Sequence, residues 1–175
     1  DVAPSRGLGD VYKRQSVILL LPSGESAVMI RAARPADTEA ILMLWLRSSL
    51  LSHAFIAESY WIESLQMVRE DFLPKARTCV DCDEDDQVCG FISVMNQQFI
   101  GALFVEASHY GDGTAQRLMA AANQEYPVQL LEVYQQNDRA LSFDRKANFE
   151  ITANTRHPGT DMPTYILRWH HPLSE

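Results

Sequence analysis

Apolar positions recur with a period of two in some stretches of this chain and of three to four in others. That change of period divides it into strands and helices. Residues 27–34, AVMIRAAR, read as an opening strand. Pro35 starts the next element, and Asp37 caps a helix running to Leu50 with Ile41, Leu44, Trp45 and Ser48 on one face. After the loop SHAFIAES, a second helix over 58–72 carries an apolar stripe of Tyr60, Trp61, Leu65, Val68 and Phe72, and Pro74 ends it. Strands follow at 77–81 and 88–96, joined by the acidic turn Asp83-Glu84-Asp85-Asp86, whose charges read as a solvated face. A tight turn at Asn96-Gln97 leads to a third strand, 98–105, and a glycine-bearing turn leads to a helix ending near Gln124. VQLLEVY, residues 128–134, reads as a buried strand. Asn137 caps a short helix over 138–146. Strands near 149–154 and 164–169 close the chain, with His170 and His171 as strand end and tail rather than a metal site. An antiparallel meander feeding a β-α-β unit is an α+β, or mixed α/β, arrangement.

The 175 residues suffice for one domain with a sizeable core, and 46% hydrophobic and 22% charged residues are ordinary for a globular protein. No run approaches the roughly 18 consecutive apolar residues of a membrane span. Residues 10–15, DVYKRQ, back-translate readily to GAT GTG TAT AAG AGA CAG, the end of a transposon-based sequencing adapter. Residues 1–15 are therefore expected to be a translated library scar and 16–28 a non-native or disordered leader. A single domain is expected over 29–175, with Met29 as the native start and a cytoplasmic location. The net charge of −8 survives removal of residues 1–28, which carry three basic and three acidic groups. Such a balance argues against a nucleic-acid surface, and any anionic ligand must be held by local amides. Three cysteines fit reduced thiols. Cys79-x-x-Cys82 lies in a strand, where residues three apart point to opposite faces, and no second pair completes a metal site.

The stretch FVEASHYGDGTAQRLM, residues 104–119, places a glycine turn between a strand and a helix start. Such a turn presents several backbone N–H groups to a phosphate, and it also serves as a plain structural turn. At this point the residues resemble the GNAT acyltransferase superfamily, in the look of its small bacterial YiaC/YjaB-type branch. The resemblance rests on MIRAARPADTEAILMLWLRS, on HAFI followed by Tyr60-Trp61, on GFISVMNQQFIGALFV, and on LLEVYQQN with Ala140-x-x-Phe143. It implies a mostly antiparallel central sheet of about seven strands flanked by four helices and splayed between the fourth and fifth strands, with acetyl-CoA in the opening. It further implies that the pantetheine arm pairs with backbone at Leu103, Phe104 and Val105. The pyrophosphate would rest on the turn of Tyr110, Gly111, Asp112, Gly113, Thr114, Ala115 and Gln116, and Asn137 and Phe143 would face the cofactor. Asn137 serves equally as a helix cap.

Two departures from the family pattern stand out. Tyr110 replaces a usual Gln or Arg, and Asp112 stands where basic residues are common. Asp144 replaces the tyrosine that serves relatives as general acid, and Asn148 replaces a glycine, which Asn mimics at positive φ. The implied reaction is direct attack of a neutral primary amine, on a small molecule or on a protein lysine or N-terminus, upon the thioester. Asp144, Glu132 and Tyr134 are the candidate proton-transfer groups, Glu132 reading also as a structural carboxylate. Losing the acid costs at most roughly 10²- to 10⁴-fold. Acceptor recognition is assigned to His53, Phe55, Tyr60, Trp61 and Phe99, which also read as loop histidine and core. No metal, nucleic-acid or membrane partner is expected, and the protein is expected to be a monomer or homodimer. The rival reading is a catalytically impaired CoA-binding or regulatory module, favoured by Asp112 and Asp144.

Overall fold

Strand β3, Val88–Met95, is buried along nearly its whole length on both faces, and the molecule is layered about it. The computed structural model describes residues 18–19 and 28–171. The adapter reading of residues 1–15 lies outside them. The strands are β1 (Val28–Ala32), β2 (Arg77–Cys82), β3, β4 (Phe99–Val105), β5 (Val128–Tyr134), β6 (Glu150–Arg156) and β7 (Pro163–His170). Helices α1 (Thr38–Ser52) and α2 (Glu58–Met67) follow β1, α3 (Thr114–Glu125) follows β4, and α4 (Asp138–Lys146) follows β5. The sheet order is β1-β2-β3-β4-β5-β7-β6, with the two-residue strand Ile18–Leu19 paired to β1 at the edge. All pairings are antiparallel except β4 with β5. This is the GNAT fold anticipated above: a mixed, open sheet with four principal helices.

Two apolar layers sandwich the sheet. On one face Ile92, Val94, Ile100, Val105, Leu131 and Val133 pack against Leu118, Met119 and Ala122 of α3. On the other, Val80, Phe91, Ala102 and Tyr134 pack against Ile41, Leu44 and Trp45 of α1 and Trp61 of α2. Cys79 belongs to the first layer and Cys82 to the second, the opposite facing expected of residues three apart in a strand. Burial pushes Cys79 and Cys89 to about 11 and Cys82 to about 12, so all three remain protonated thiols. No three-residue cluster of metal-ligating side chains forms among the described residues.

Local structure departs from the periodicity in three places, each for a physical reason. Asp37 does not cap α1. Its carboxylate is drawn back onto Arg31 of β1 by a bidentate pair at 2.7 and 3.0 Å and accepts the Arg34 N–H at 2.7 Å. The second helix does not run evenly to Phe72. A π-turn spans Val68–Phe72 and helix resumes over Leu73–Lys75, so Pro74 is absorbed rather than terminal. Proline lacks the N–H and crowds the carbonyl four residues back, and the widened turn relieves both. The acidic turn is not purely solvated, because Asp86 Oδ1 accepts from Arg31 Nη2 at 3.2 Å. The turn at Asn96-Gln97 forms as expected, with φ of 53° and 61°.

The Arg31–Asp37 pair ties β1 to the start of α1. Burial pushes the Asp37 carboxyl up, but the Arg31 guanidinium and the Arg34 N–H more than offset this and hold it below the usual range. Asp37→Ala leaves the Arg31 guanidinium, 4% exposed, without its buried carboxylate and with only the exposed Asp86 as counter-charge, and is expected to cost about 3–5 kcal/mol in urea unfolding. The Arg31→Met/Asp37→Leu double variant is expected to recover most of that loss. A single-variant loss below 1 kcal/mol would contradict this role.

Candidate functional site

The sheet opens where its one parallel pairing fails. β4 and β5 pair only at Phe99↔Leu130 and Ile100↔Leu131, and then diverge. A bulge in β4 between the registers of Ser93 and Val94 begins the divergence, and Gly101 sits in it. A side chain at Gly101 would collide with the Phe72 ring, whose Cε1 lies 2.6 Å from where a Cβ would stand. The π-turn of the second helix thus delivers Phe72 onto the bulge. Beyond it, residues 102–105 keep their pairing with β3 but have no strand on the β5 side.

A cleft of about 280 Å³ fills this opening. It gathers the expected acceptor residues His53, Tyr60, Trp61 and Phe99, the backbone candidates Leu103 and Phe104, and Glu132, Tyr134, Asn137 and Asp144. Phe55 stands behind it, edge-on to His53 and Tyr134 at centroid distances of 5.8 and 5.6 Å. Val105 is buried in the sheet, and Phe143 packs against the core rather than lining the cleft. The turn of residues 110–116 is likewise not part of the cleft wall.

Of the lining residues that sequence reasoning did not single out, three carry aromatic or polar side chains. Trp45 is hidden within the apolar stripe of α1. Thr164 on β7 is brought opposite Tyr134 by register, and its Oγ1 donates to Glu132 Oε2 at 2.6 Å. His157 comes from the β6–β7 turn, its ring 5.7 Å from that of Tyr134. No local pattern announces either, because both depend on pairing across the sheet.

The electrostatics of the cleft follow from burial. No lysine or arginine lines it among the described residues; its carboxylates are Glu132 and Asp144. Asp144 sits on α4, is 6% exposed, and has its carboxyl pushed up to about 7 by burial. Near neutrality a large share of Asp144 therefore carries a proton, unlike an exposed aspartate, whose pKa is about 4. His53 is buried and driven down to about 4, so its imidazole is neutral. It stacks on Trp61 at 4.9 Å, and its Nε2 lies 3.4 Å from Asn137 Nδ2. With Asn137 donating, the ring proton rests on Nδ1, which has no partner. Trp61 Nε1 is likewise buried and unpaired, leaving two donors of the cleft wall unsatisfied. Asn137 also caps α4, its Oδ1 accepting the Ala140 N–H at 3.2 Å. Burial raises Tyr134, keeping it a protonated donor, and its hydroxyl accepts from Thr160 Oγ1.

The glycine turn adopts the backbone that its residues permit: Gly111 and Gly113 have φ of 80° and 93°. Asp112 Oδ1 accepts the Thr114 N–H at 3.0 Å, and the Arg139 guanidinium lies 3.4 Å from the centre of the Tyr110 ring. Asn148, expected from the sequence resemblance to mimic a glycine, takes φ of 71°.

Residues 49–157 match the acetyltransferase (GNAT) domain family. The chain is similar to the peptidyl-lysine N-acetyltransferase YiaC of Escherichia coli, 36% identical over 141 residues that span 81% of this chain and 96% of YiaC. Its fold is similar to the solution structure of apo-form YjaB from Escherichia coli, with TM-score 0.72 and 28% identity over 83% of this chain and 99% of that one. It also resembles the PaiA N-acetyltransferase of Thermoplasma acidophilum in complex with coenzyme A, with TM-score 0.67 and 16% identity over 83% and 99% of the two chains. The match over most of the chain, on a sheet that opens between β4 and β5, establishes that this protein belongs to the GNAT acetyltransferases, which take their acetyl group from acetyl-CoA.

Proposed function

We propose that the protein transfers the acetyl group of acetyl-CoA to a primary amine by direct attack in the β4–β5 cleft, with the side chain of a protein lysine as the favoured acceptor. The observation that carries this reading is the pairing, in one cleft, of an unpaired strand edge at 102–105 with a carboxyl, Asp144, that holds its proton near neutrality. The name of YiaC, a peptidyl-lysine N-acetyltransferase, supports a lysine acceptor. The wall also suits a cationic side chain, because it offers the Glu132 carboxylate and aromatic faces and, among the described residues, no lysine or arginine.

The free edge of β4 and the two unsatisfied donors, His53 Nδ1 and Trp61 Nε1, fit a ligand rich in amide and thioester carbonyls. Acetyl-CoA supplies the activated acetyl thioester. Backbone N–H groups of Leu103 and Val105, which flank Phe104 and face away from β3, hold its pantetheine arm and polarise the carbonyl. The amides of residues 110–116 and Asn137 form the remaining contacts. Glu132, fixed by the Thr164 hydroxyl, takes the proton of the incoming amine, directly or through water. Asp144 donates a proton to the departing thiolate, in the place that relatives give to tyrosine. Tyr134 is the second donor in reach of the cleft. His53, Tyr60, Trp61 and Phe99 shape the acceptor end, with Phe55 supporting His53.

A second reading, a regulatory module without turnover, is favoured by Asp112, whose carboxylate already engages an amide of the glycine turn.

Saturating acetyl-CoA, at about 100 times its Kd, is expected to stabilise the fold by about 2.7 kcal/mol and raise the melting temperature by roughly 5–10 °C. An unchanged melting temperature would refute the donor site. Asp144→Asn is expected to lower kcat by about 10²- to 10⁴-fold and abolish the fall of activity above pH 7. Asp144→Tyr is expected to retain activity and move that limb toward tyrosine's pKa of about 10. Thiol release with a lysine peptide measures both, and an Asp144→Asn variant with the wild-type profile would remove Asp144 from the chemistry. Because burial favours the protonated form in the folded state, wild type loses stability as pH rises from about 4 to about 7. Asp144→Asn is therefore expected to melt level with wild type at pH 4 and above it at pH 8.

A further inference from the structure

The cleft is lined from both layers of the molecule, and its two sides differ. Glu132 and Tyr134 alternate along β5 with Leu131 and Val133, so the first pair faces the α1 and α2 layer and the second faces α3 and α4. On the α3–α4 side Leu103, Met119, Leu131, Val133 and Ala140 give the cleft an apolar wall. Asp144, one turn beyond Ala140 on α4, sets a carboxyl in that wall. Its backbone is held, because its carbonyl accepts the N–H groups of Ala147 at 3.1 Å and Phe149 at 3.0 Å. Its side chain is not: the residue is only 6% exposed, and the carboxyl meets no hydrogen-bond partner among the described residues.

A buried carboxyl without a partner is costly, and on the wall of a substrate cleft the missing partner is supplied by what binds there. Proton donation to the departing thiolate uses one of its oxygens. The other is an acceptor, and an acetyl group has no polar hydrogen to offer it. The α1–α2 side of the cleft takes the amine, so on the α3–α4 side the partner belongs to the acyl chain. A hydroxyl fits it. An ammonium would be stripped of water against Met119, Leu131 and Val133, and a carboxylate brings the acceptor no hydrogen. The second acyl carbon is bonded to the carbonyl that the β4 amides hold, so the third is the first with room to turn its substituent onto Asp144.

We propose that the cleft takes short 3-hydroxyacyl thioesters of CoA as well as acetyl-CoA, and that Asp144 selects them by accepting the hydroxyl hydrogen. This rests on the reading of the β4–β5 cleft as the donor site. The bonds of the transfer are those of acetyl transfer. The amine nitrogen joins the thioester carbon and the carbon–sulfur bond breaks. Glu132 takes the amine proton, and the thiolate leaves as a thiol with the proton of Asp144. The hydroxyl stays on the amide product.

The test is calorimetric titration of wild type, Asp144→Asn, Asp144→Leu and Asp144→Ala with each enantiomer of 3-hydroxybutyryl-CoA and with butyryl-CoA, which has the same carbon chain and no hydroxyl. Acetyl-CoA is the control in the same titrations. Wild type is expected to bind one enantiomer about tenfold tighter than butyryl-CoA, the worth of one hydrogen bond to a buried acceptor. Asp144→Asn keeps an amide oxygen and is expected to keep a preference of about threefold or more. In Asp144→Leu and Asp144→Ala the preference is expected to vanish, and one of the two folding is enough to decide. Equal affinities in wild type, failure of wild type to bind either four-carbon thioester, or an undiminished preference in the leucine and alanine variants would overturn the hydroxyl site while leaving the acetyl-CoA site standing. Failure of wild type to bind acetyl-CoA would overturn both.

Discussion

Every functional property argued for this protein depends on the brevity of one strand pairing. β4 and β5 run parallel for two residues and then separate. Strands in a closed sheet bury and satisfy their backbone groups, and here residues 102–105 satisfy theirs on the β3 side only. The separation is built by residues far apart in sequence. A bulge shifts the β4 register, Gly101 leaves room for a ring, and the π-turn of the second helix supplies that ring as Phe72. Each is a local irregularity, and together they turn a sheet interior into a cleft.

Burial in that cleft, rather than specific charge pairing, sets its chemistry. Asp144 rises toward neutrality because it is out of water, and His53 falls to a permanently neutral imidazole for the same reason. The replacement of tyrosine by aspartate reads in the sequence as the loss of an acid. In the structure the same burial that penalises the carboxylate restores a proton to the position. The glycine turn has the converse character. It lies outside the cleft, and its aspartate stays below the usual carboxylate range: burial pushes it up, and the Thr114 and His109 hydrogen bonds outweigh that.

Much of this fold was legible because its elements are amphipathic. The buried face of α1, the course of β3 and the bounds of β5 and α4 follow from apolar spacing and from Asn137 as a cap. What spacing could not convey are interactions that close across the sheet. Asp37 looks like a helix cap until Arg31 of β1 is placed beside it, and Pro74 looks like a terminator until the π-turn accommodates it. Within the site, His53, Glu132 and Asp144 were readable as candidates, whereas Thr164 and His157 became visible only through the β5–β7 and β6–β7 pairings. The protonation of Asp144 was out of reach for the same reason, since burial is a property of the assembled layers.

The central claim is that the free edge of β4 is where the donor binds. Hydrogen–deuterium exchange of the amides at residues 101–105, followed with and without acetyl-CoA, tests it directly. The account predicts that the amides facing β5 exchange rapidly in the free protein and become strongly protected when acetyl-CoA is added, while those paired to β3 are slow in both. Unchanged exchange at these residues, with protection appearing elsewhere on the molecule, would contradict it.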